Sequence, residues 1–376
     1  MPMDATRNRI HIALVPIFFV ALWVPALCAL LGYDPIPRPN ENRNPATFPA
    51  RPDSLAALQA FPQKFEAYYN DHFGLRNTLV YGYLWTKSMV LGVSPSPLVV
   101  VGREDWTYLG HDQQLAASRG TALFSDAQLE DLRRNIENEK AIAERHGARY
   151  LRCYGPDKST IYPEHAPAWL HRISKESNLD QLQAYLTSHS DVTLVDLRPA
   201  ILKAKADNYL VYLQSNSHWN DYGAYVGYCT IADTIQPWLP NFVPVVPDDL
   251  SFSWRPRKPD DLEAEIDIAY YKASLIFDVH PKKWRGKMVG KEIAGLKIAG
   301  GTDLSISENE NQSLPKLVIF HDSFGWAIAP YFIESFSRVV FVRKPGFSEE
   351  IIAKERPDLV ITLGVERSLT PVKPHQ

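Results

Sequence analysis

Cysteine is scarce in this sequence, and the patterns that hold metals or nucleotides are missing. Three cysteines in 376 residues make no disulfide framework; Cys153 and Cys229 could pair, or both could be buried free thiols. No Cys/His cluster has zinc-ligand spacing and no glycine-rich phosphate loop occurs, so we expect neither a metal nor a cofactor. Basic residues (40) and acidic residues (43) nearly balance at a net charge of −3, so the charge gives no indication of nucleic-acid binding. At 45% hydrophobic residues the chain can bury a full core.

One long hydrophobic run stands apart from this globular composition, at residues 10–32. About 20 residues of helix cross a bilayer, so the run predicts a transmembrane signal anchor. The two arginines in residues 1–9 predict a cytoplasmic tail and place everything after the run outside the cytoplasm. A cleaved signal peptide is the alternative, but the run is long for one, and Pro16 and Pro25 leave no clean cleavage site. We therefore expect the anchor to be retained.

Residues 33–62 are rich in proline, asparagine and arginine, and they predict an extended linker between the membrane and a folded domain. Beyond the linker, an amphipathic stretch is interrupted by polar residues before a second helix is predicted. Asp71, His72 and Arg76 lie in this interruption. They could form part of a site, or they could be a buried polar connection between two helices.

Short apolar strands alternate with helices from residue 149 onward, and this alternation predicts a parallel α/β sheet flanked by helices. Residues 239–312 break the pattern with clusters of proline and charge, so we expect a β-rich, irregular insertion there. The sheet, the helices and this insertion are predicted to form one domain over residues 63–370.

The strand predicted at residues 317–320 ends abruptly, and a helix is predicted from residue 325. Ser323 lies in the turn between them, at the carboxyl edge of the sheet, where a hydroxyl can meet a base. The free N–H groups of the following helix favour a developing negative charge at such a turn. The alternative is that Asp322 and Ser323 simply cap the helix.

A second polar stretch, residues 214–220, precedes another predicted helix and contains His218. A histidine beside a tryptophan is commonly structural, but a loop histidine before a helix can face a cleft. At neutral pH it can accept a proton from a serine, and Asn216 could hold its ring by a hydrogen bond. Ser323, His218 and Asn216 together would form the arrangement used for acyl transfer.

Several short motifs occur in a consistent order between about residues 40 and 370. They are Asn42–Arg43 with Phe48–Pro49, Phe65–Arg76, Val101–Gly102 with Trp106, Pro156–Ser159 with Tyr162–Glu164, Ser217–Asn220 with Gly223–Ala224, His321–Phe324, and Pro357–Val360 with Val365–Arg367. In this order the chain resembles the periplasmic SGNH-like O-acetyltransferases of bacterial exopolysaccharide export, the alginate and cellulose acetylation proteins. Singly each motif is weak, but together they are specific.

The resemblance implies a flavodoxin-like α/β core of the SGNH type, permuted so that the serine comes late. It also implies that Ser323 is the nucleophile that carries the acetyl group and that His218 is the base. The aspartate of the family's triad falls on Asn216, which is a departure from the pattern. Either Asp221 or Asp322 supplies the missing charge, or the enzyme is slow, or it has lost activity.

The family motifs also contain six further polar residues that we expect to support the site or to bind substrate. These are Asp71, His72, Arg76, Asp157, Lys158 and Asp322. Of these, Asp322 is expected to brace the turn that carries the serine.

The function that the resemblance implies is acetyl transfer to an exopolysaccharide by a single-pass protein of the inner membrane, with its catalytic domain in the periplasm. A membrane-bound O-acyltransferase would supply the acetyl group, because the periplasm holds no acetyl-CoA. Two alternatives stay open at this point. One is an acetylesterase that uses the same serine with water; the other is a catalytically weak scaffold that binds polysaccharide or the membrane acyltransferase.

Overall fold

The computed structural model describes residues 3–36, 44–91, 93–104, 106–256, 275–296, 303–344 and 346–371. The described residues fall into two compact units. The first lies within Met1–Ser96, and the second lies within Pro97–Leu262 and Lys272–Gln376. The domain boundary that we predicted at residue 63 therefore falls inside the first unit, in the middle of a helix.

Among its described residues, the first unit contains three α-helices: α1 (Met3–Leu31), α2 (Leu55–His72) and α3 (Arg76–Trp85), the last followed by a π-helical turn. Within α1, the stretch Leu14–Leu31 is long and apolar enough to cross a membrane, a test that a signal sequence also passes. Helix α2 begins inside the range predicted to be linker, because Ser54 caps it by accepting a hydrogen bond from the Ala57 backbone N–H.

The second unit contains eleven strands among the described residues. They are β1 (Val99–Val101), β2 (Thr107–Leu109), β3 (Arg149–Gly155), β4 (Leu194–Asp196), β5 (Leu250–Pro256), β6 (Leu275–Pro281), β7 (Gly286–Gly290), β8 (Asp303–Asn309), β9 (Lys316–His321), β10 (Arg338–Lys344) and β11 (Leu359–Val365). Seven of them form one sheet in the order β4-β3-β11-β9-β10-β8-β7. The first five in that order are parallel, and β8 and β7 are antiparallel to their neighbours.

Helices cover both faces of the sheet. In the part of the second unit that the structure describes, the α-helices are α4 (Asp112–Arg119), α5 (Asp126–Arg145), α6 (Lys158–Ile161), α7 (Asn178–His189), α8 (Arg198–Ala206), α9 (Asp221–Ile235), α10 (Gly325–Ser335) and α11 (Glu349–Glu355). Along β9, Leu317 and Ile319 belong to one apolar cluster with residues of α8, α9 and α10. Val318 and Phe320 belong to the other cluster, with residues of α5, α7 and α11. The predicted α/β fold, with a central sheet flanked by helices, is confirmed.

The sheet differs from the prediction in being mixed. Residues 239–312 include the β5–β6 hairpin, but they also include β7 and β8, which extend the main sheet. Leu304 and Ile306 of β8 are buried in the same apolar cluster as Val340 and Val342 of β10. These residues are therefore part of the sheet's own core and not of a separate excursion.

Candidate active site

Ser323 lies directly after β9, in a turn that Asp322 holds in place. The Asp322 carboxylate accepts hydrogen bonds from two backbone N–H groups, that of Phe324 at 2.9 Å and that of Val365 at 2.7 Å. The ring of His321 donates from Nδ1 to the Asp322 carbonyl oxygen at 2.6 Å, and burial lowers the pKa of this histidine. The turn is thus fixed to the end of β11, the neighbouring strand.

His218 connects Ser323 to Asn216. Its Nε2 lies 2.7 Å from Ser323 Oγ, and its Nδ1 lies 2.9 Å from Asn216 Oδ1. The same Oδ1 accepts the backbone N–H of His218 at 2.8 Å. We predicted from the sequence that these three residues form one site, and in the structure they lie together.

The hydrogen bonds also define which imidazole nitrogen carries the proton. A backbone N–H can only donate, so the Asn216 atom beside it is the amide oxygen, which can only accept. Nδ1 of His218 then donates its proton to that oxygen, and the Ser217 hydroxyl lies 3.1 Å from the same nitrogen. Nε2 is left with a lone pair towards Ser323 Oγ. This is the tautomer that a general base for the serine needs.

An apolar layer lies beneath these groups and limits their motion. The indole N–H of Trp219 donates to the Phe324 carbonyl oxygen at 3.2 Å, and the ring of Phe324 lies 5.4 Å from that of His218. Trp219 and Phe324 are both buried, whereas Ser323, His218 and Asn216 are half-buried. A ligand can therefore reach the polar atoms, while the backbone of these residues packs against Trp219 and Phe324.

Lys158 is buried and holds the loop that carries Asn216. Its Nζ donates to three backbone carbonyl oxygens, those of Thr107 (2.8 Å), Gln214 (2.5 Å) and Asn216 (3.1 Å). The ammonium also lies 4.9 Å from the centre of the Trp106 ring. We predicted that Lys158 either supports the site or binds substrate, and these contacts favour the supporting role.

Asp157 binds an arginine that the sequence analysis did not single out as a site residue. Arg367 Nη1 donates to Asp157 Oδ1 at 2.8 Å and to the Ser217 carbonyl oxygen at 3.4 Å. Its guanidinium lies 5.1 Å from the centre of the Phe324 ring. Glu366, the neighbour of Arg367, is buried, and burial raises the pKa of its carboxyl. The charged pair Glu366 and Arg367, directly after the buried strand β11, was the sequence signal that could have identified Arg367 as a residue of the candidate site.

The two acids that could have replaced the family aspartate are bound to other partners. Both Asp322 oxygens accept backbone N–H groups, one from Phe324 in the turn and one from Val365 at the end of β11. The Asp221 carboxyl hydrogen-bonds Asp278 on β6 and accepts the Val279 backbone N–H at 3.5 Å. Burial and the neighbouring Asp278 raise the pKa of Asp221 to about 6. Two neutral groups contact His218 Nδ1: the amide oxygen of Asn216 at 2.9 Å and the hydroxyl of Ser217 at 3.1 Å.

Asp71, His72 and Arg76 lie in the first unit. Asp71 accepts the Ala46 backbone N–H at 2.8 Å, and Arg76 Nε donates to the Asn70 carbonyl oxygen at 2.7 Å. His72 is exposed, with Nδ1 2.9 Å from the Tyr68 carbonyl oxygen. These contacts connect α2 to α3 and to the segment before α2, as a buried polar connection would. Ser323, His218 and Asn216 all lie in the second unit.

Neither free thiols nor acidic clusters suggest a metal centre in the described part of the chain. Cys28, Cys153 and Cys229 are all unpaired with one another. In the ranges that the structure describes, no group of three or more His, Cys, Asp or Glu side chains could hold a metal ion.

Comparison with known proteins agrees with this architecture. Residues 99–267 match the family model described as the SGNH hydrolase-like domain of acetyltransferase AlgX. The matched segment includes Asn216 and His218 and ends before Ser323. The chain is 28% identical over 182 residues to a probable alginate O-acetylase AlgJ of Pseudomonas aeruginosa, covering 47% of this chain and 43% of the relative. It is 25% identical over 269 residues to the AlgJ of Pseudomonas fluorescens, covering 70% of this chain and 63% of the relative.

Among solved structures, that of Bacillus cereus PatB1 with a sulfonyl adduct is similar at a TM-score of 0.54 and 16% identity. The similarity covers 73% of this chain and 96% of PatB1, and it shows a shared fold. The alignments span about half the length of the curated relatives. Residues 99–267 therefore resemble the SGNH hydrolase-like domain of AlgX, and the predicted resemblance of the chain to AlgX and AlgJ is confirmed.

Proposed function

We propose that this protein is an O-acetyltransferase that uses Ser323 to transfer acetyl groups to the hydroxyls of a bacterial exopolysaccharide in the periplasm. The observation that carries the proposal is the chain of hydrogen bonds from Ser323 Oγ through His218 to Asn216, at 2.7 and 2.9 Å. The substrate class rests on the curated relatives, which are named probable alginate O-acetylases.

In the first step, Ser323 Oγ attacks the carbonyl carbon of an activated acetyl group while His218 Nε2 takes the hydroxyl proton. The bond from that carbon to the donor breaks, and His218 returns the proton to the departing donor atom. The N-terminus of α10, which begins two residues after Ser323, would favour the developing oxyanion through the positive end of the helix dipole. The product of this step is acetyl-Ser323.

In the second step, a sugar hydroxyl attacks the acetyl-serine carbonyl while His218 Nε2 accepts the hydroxyl proton. The ester bond to Ser323 breaks, and the proton passes from His218 back to Ser323 Oγ. Asn216 Oδ1 accepts the Nδ1 proton throughout, so the ring keeps its orientation and tautomer. Asp322, Lys158 and the Asp157–Arg367 pair hold the two loops at the distances that these steps require.

The cellular setting belongs to the same proposal. The apolar helix α1 would hold the protein in the inner membrane, with residues 1–9 in the cytoplasm, 10–32 in the bilayer and the remainder in the periplasm. A membrane-bound O-acyltransferase would pass the acetyl group outward to Ser323. The site requires no cofactor for either step.

A second candidate function is a catalytically weak scaffold that binds polysaccharide or the acyltransferase. The observation in its favour is Asn216, which has no charge to stabilise the imidazolium that forms during acylation. The third candidate function is an acetylesterase, in which water takes the place of the sugar hydroxyl.

Incubation of the protein with an aryl acetate and either short uronate or short neutral glucan oligosaccharides separates these three hypotheses. The transferase predicts release of the aryl alcohol together with O-acetylated oligosaccharide, detected by mass. His218→Ala should reduce release by roughly 10² to 10⁴, the usual worth of a positioned base. Acetate without acetylated sugar would indicate the esterase, and no release above the rate of Ser323→Ala would indicate the scaffold.

A further inference from the structure

The corner between α2 and α3, residues 73–75, packs directly on helix α1. Gly74 is buried at this contact. A Cβ added to Gly74 would overlap the carbonyl oxygen of Pro25 and the backbone nitrogen of Ala29, so only glycine fits. Both contacted residues lie inside the apolar stretch Leu14–Leu31 and not beyond its end.

Polar groups near the corner are paired inside the first unit. Three residues after the end of α1, Asp34 accepts a hydrogen bond from Thr78 Oγ1 at 2.6 Å. The buried Asp71 accepts the Ala46 backbone N–H at 2.8 Å, and Arg76 Nε donates to the Asn70 carbonyl oxygen. Irregular backbone can lie at membrane depth only where its polar groups are covered by protein. The α2–α3 corner meets that condition at the groups named here.

The position of the contact along α1 gives its depth. Pro25 precedes Leu31, the last residue of α1, by six residues, which is about 9 Å of helix at 1.5 Å per residue. A residue that touches α1 at this level shares its depth in any membrane that α1 crosses. Gly74 would then lie about one to two turns below the outer end of the helix, within the periplasmic leaflet.

Exposed apolar side chains lie symmetrically on either side of Gly74. Tyr69 and Leu79, five residues away in each direction, are 55% and 51% exposed; Phe65 and Tyr83, nine residues away, are 41% and 56% exposed. Helical rise keeps the first pair within about 8 Å of the corner and the second within about 14 Å. Apolar faces of this kind are unusual in water, whereas aromatic residues are enriched at the level of lipid headgroups.

We propose that the α2–α3 corner and the apolar faces beside it are inserted into the periplasmic lipid leaflet next to α1. The first unit would then contact the membrane through three helical segments and not through α1 alone. Phe65, Tyr69, Leu79 and Tyr83 would lie between acyl chains and headgroups. Lys87, whose ammonium lies 5.1 Å from the centre of the Tyr83 ring, would reach towards lipid phosphates. The inference rests on the proposed membrane anchor.

Nitroxide labels on the full chain in vesicles of phosphatidylethanolamine and phosphatidylglycerol test this insertion. Cys28, Cys153 and Cys229 are first changed to alanine, and single cysteines are then introduced at Tyr69 or Leu79. The measurement is the ratio of collisions with oxygen, which concentrates in lipid, to collisions with a water-soluble nickel chelate. Two reference labels are Leu22 in α1 and Ile173, which is 68% exposed in the second unit. We expect the ratio at Tyr69 and Leu79 to be several-fold above that at Ile173.

The two references separate failure of the inference from failure of the anchor. A lipid-like ratio at Leu22 with water-like ratios at Tyr69 and Leu79 would overturn the inference and leave the anchor standing. Such a result would assign the apolar faces to a polymer or a protein partner. Water-like ratios at Leu22 as well would overturn both.

Two glycine variants provide a matched control within the same label set. Gly74→Ala should move the corner away from α1 and lower the oxygen-to-nickel ratio at a Tyr69 label several-fold. Gly82→Ala should leave it unchanged, because a Cβ at Gly82 meets nothing within 4 Å. Equal ratios in both variants would contradict the seating of Gly74 on α1. If Gly74→Ala does not fold, the labels in the otherwise native chain still decide the question.

Discussion

Asn216 contacts His218 with its amide oxygen, and that single atom determines how a substitution there will act. Oδ1 accepts both the Nδ1 proton and the backbone N–H of His218. An aspartate can accept the same two hydrogen bonds, so Asn216→Asp adds a charge without removing a contact. A carboxylate would stabilise the imidazolium that forms in the proposed acylation of Ser323.

We therefore expect Asn216→Asp to increase aryl acetate turnover by tenfold or more, which needs only about 1.4 kcal/mol of the barrier. Steady-state release of the aryl alcohol is the measurement, with Asn216→Ala as the variant that loses both hydrogen bonds. An unchanged rate in an active protein would mean that another group already stabilises the imidazolium. A reduced rate would mean that the amide N–H₂ makes a contact that a carboxylate cannot make.

Lys158 holds the backbone of the Asn216 loop through its side-chain ammonium. Lys158→Met would leave the carbonyl oxygens of Thr107, Gln214 and Asn216 without this donor. The loop should then shift, and misplacement of about 1 Å can cost 10²-fold in rate. We expect kcat to fall by about 10- to 100-fold, with a smaller change in KM.

Lys205 offers the matched control, since its Nζ also donates to a backbone carbonyl, that of Ile161, and lies over the Tyr162 ring. Lys205→Met should lower thermal stability without the same loss of kcat. Turnover in Lys158→Met equal to that of the native protein would show that the loop holds its position without the buried ammonium.

At the scale of elements, α9 and β6 meet through a pair of acids. Burial and Asp278 raise the pKa of Asp221 from its ordinary value of 3.8 to about 6. The protonated form is thus favoured in the folded state. Below pH 3.8 the contribution to stability is fully present, and it is lost as the pH rises through about 6.

Asp221→Asn should remove this pH dependence and stabilise the fold near pH 8, by about 1 to 3 kcal/mol since one pKa unit corresponds to about 1.4 kcal/mol. The amide oxygen can still accept the Val279 backbone N–H. Urea unfolding of both proteins at pH 4 and pH 8 is the measurement. A native protein equally stable at both pH values would argue against a shared proton between Asp221 and Asp278.

Elements with a local signal were predictable from the sequence, and elements defined by long-range pairing were not. Strand β9 is apolar at every position from Leu317 to Phe320 because both of its faces are buried. Strand β8 alternates leucine and isoleucine with Ser305 and Ser307, and all four are buried. Because of the two serines, β8 does not contain a continuous apolar run. Its pairing with β10, which makes it part of the sheet, cannot be recognised from the local sequence.

The candidate site shows the same division. Ser323, His218 and Asn216 were found because a polar loop before a helix and a serine after a strand are local patterns. Arg367 was missed because its contacts, to Asp157 and the Ser217 carbonyl, cross 210 and 150 residues of chain. Such contacts depend on the order of β3, β9 and β11 in the sheet, which the sequence does not reveal.

In the whole molecule, the candidate site lies at the carboxyl ends of three neighbouring strands of one sheet. Strands β3, β11 and β9 are adjacent and parallel, so their carboxyl ends bring Asp157, Arg367 and Ser323 to one edge. The loop before α9 adds His218 at that edge. The late position of Ser323 in the chain is therefore no obstacle to a site assembled with residues that precede it by a hundred positions or more.

The proposed transfer depends on an acetyl group bound to Ser323, and the site of covalent acetylation can be measured by mass. The protein is incubated briefly with an aryl acetate, quenched in acid, weighed intact and mapped by peptide mass. We predict one added acetyl group, located on Ser323, and no such adduct in Ser323→Ala. Acetylation of Ser323→Ala to the same extent, or an adduct mapped to another residue in the native protein, would contradict the account.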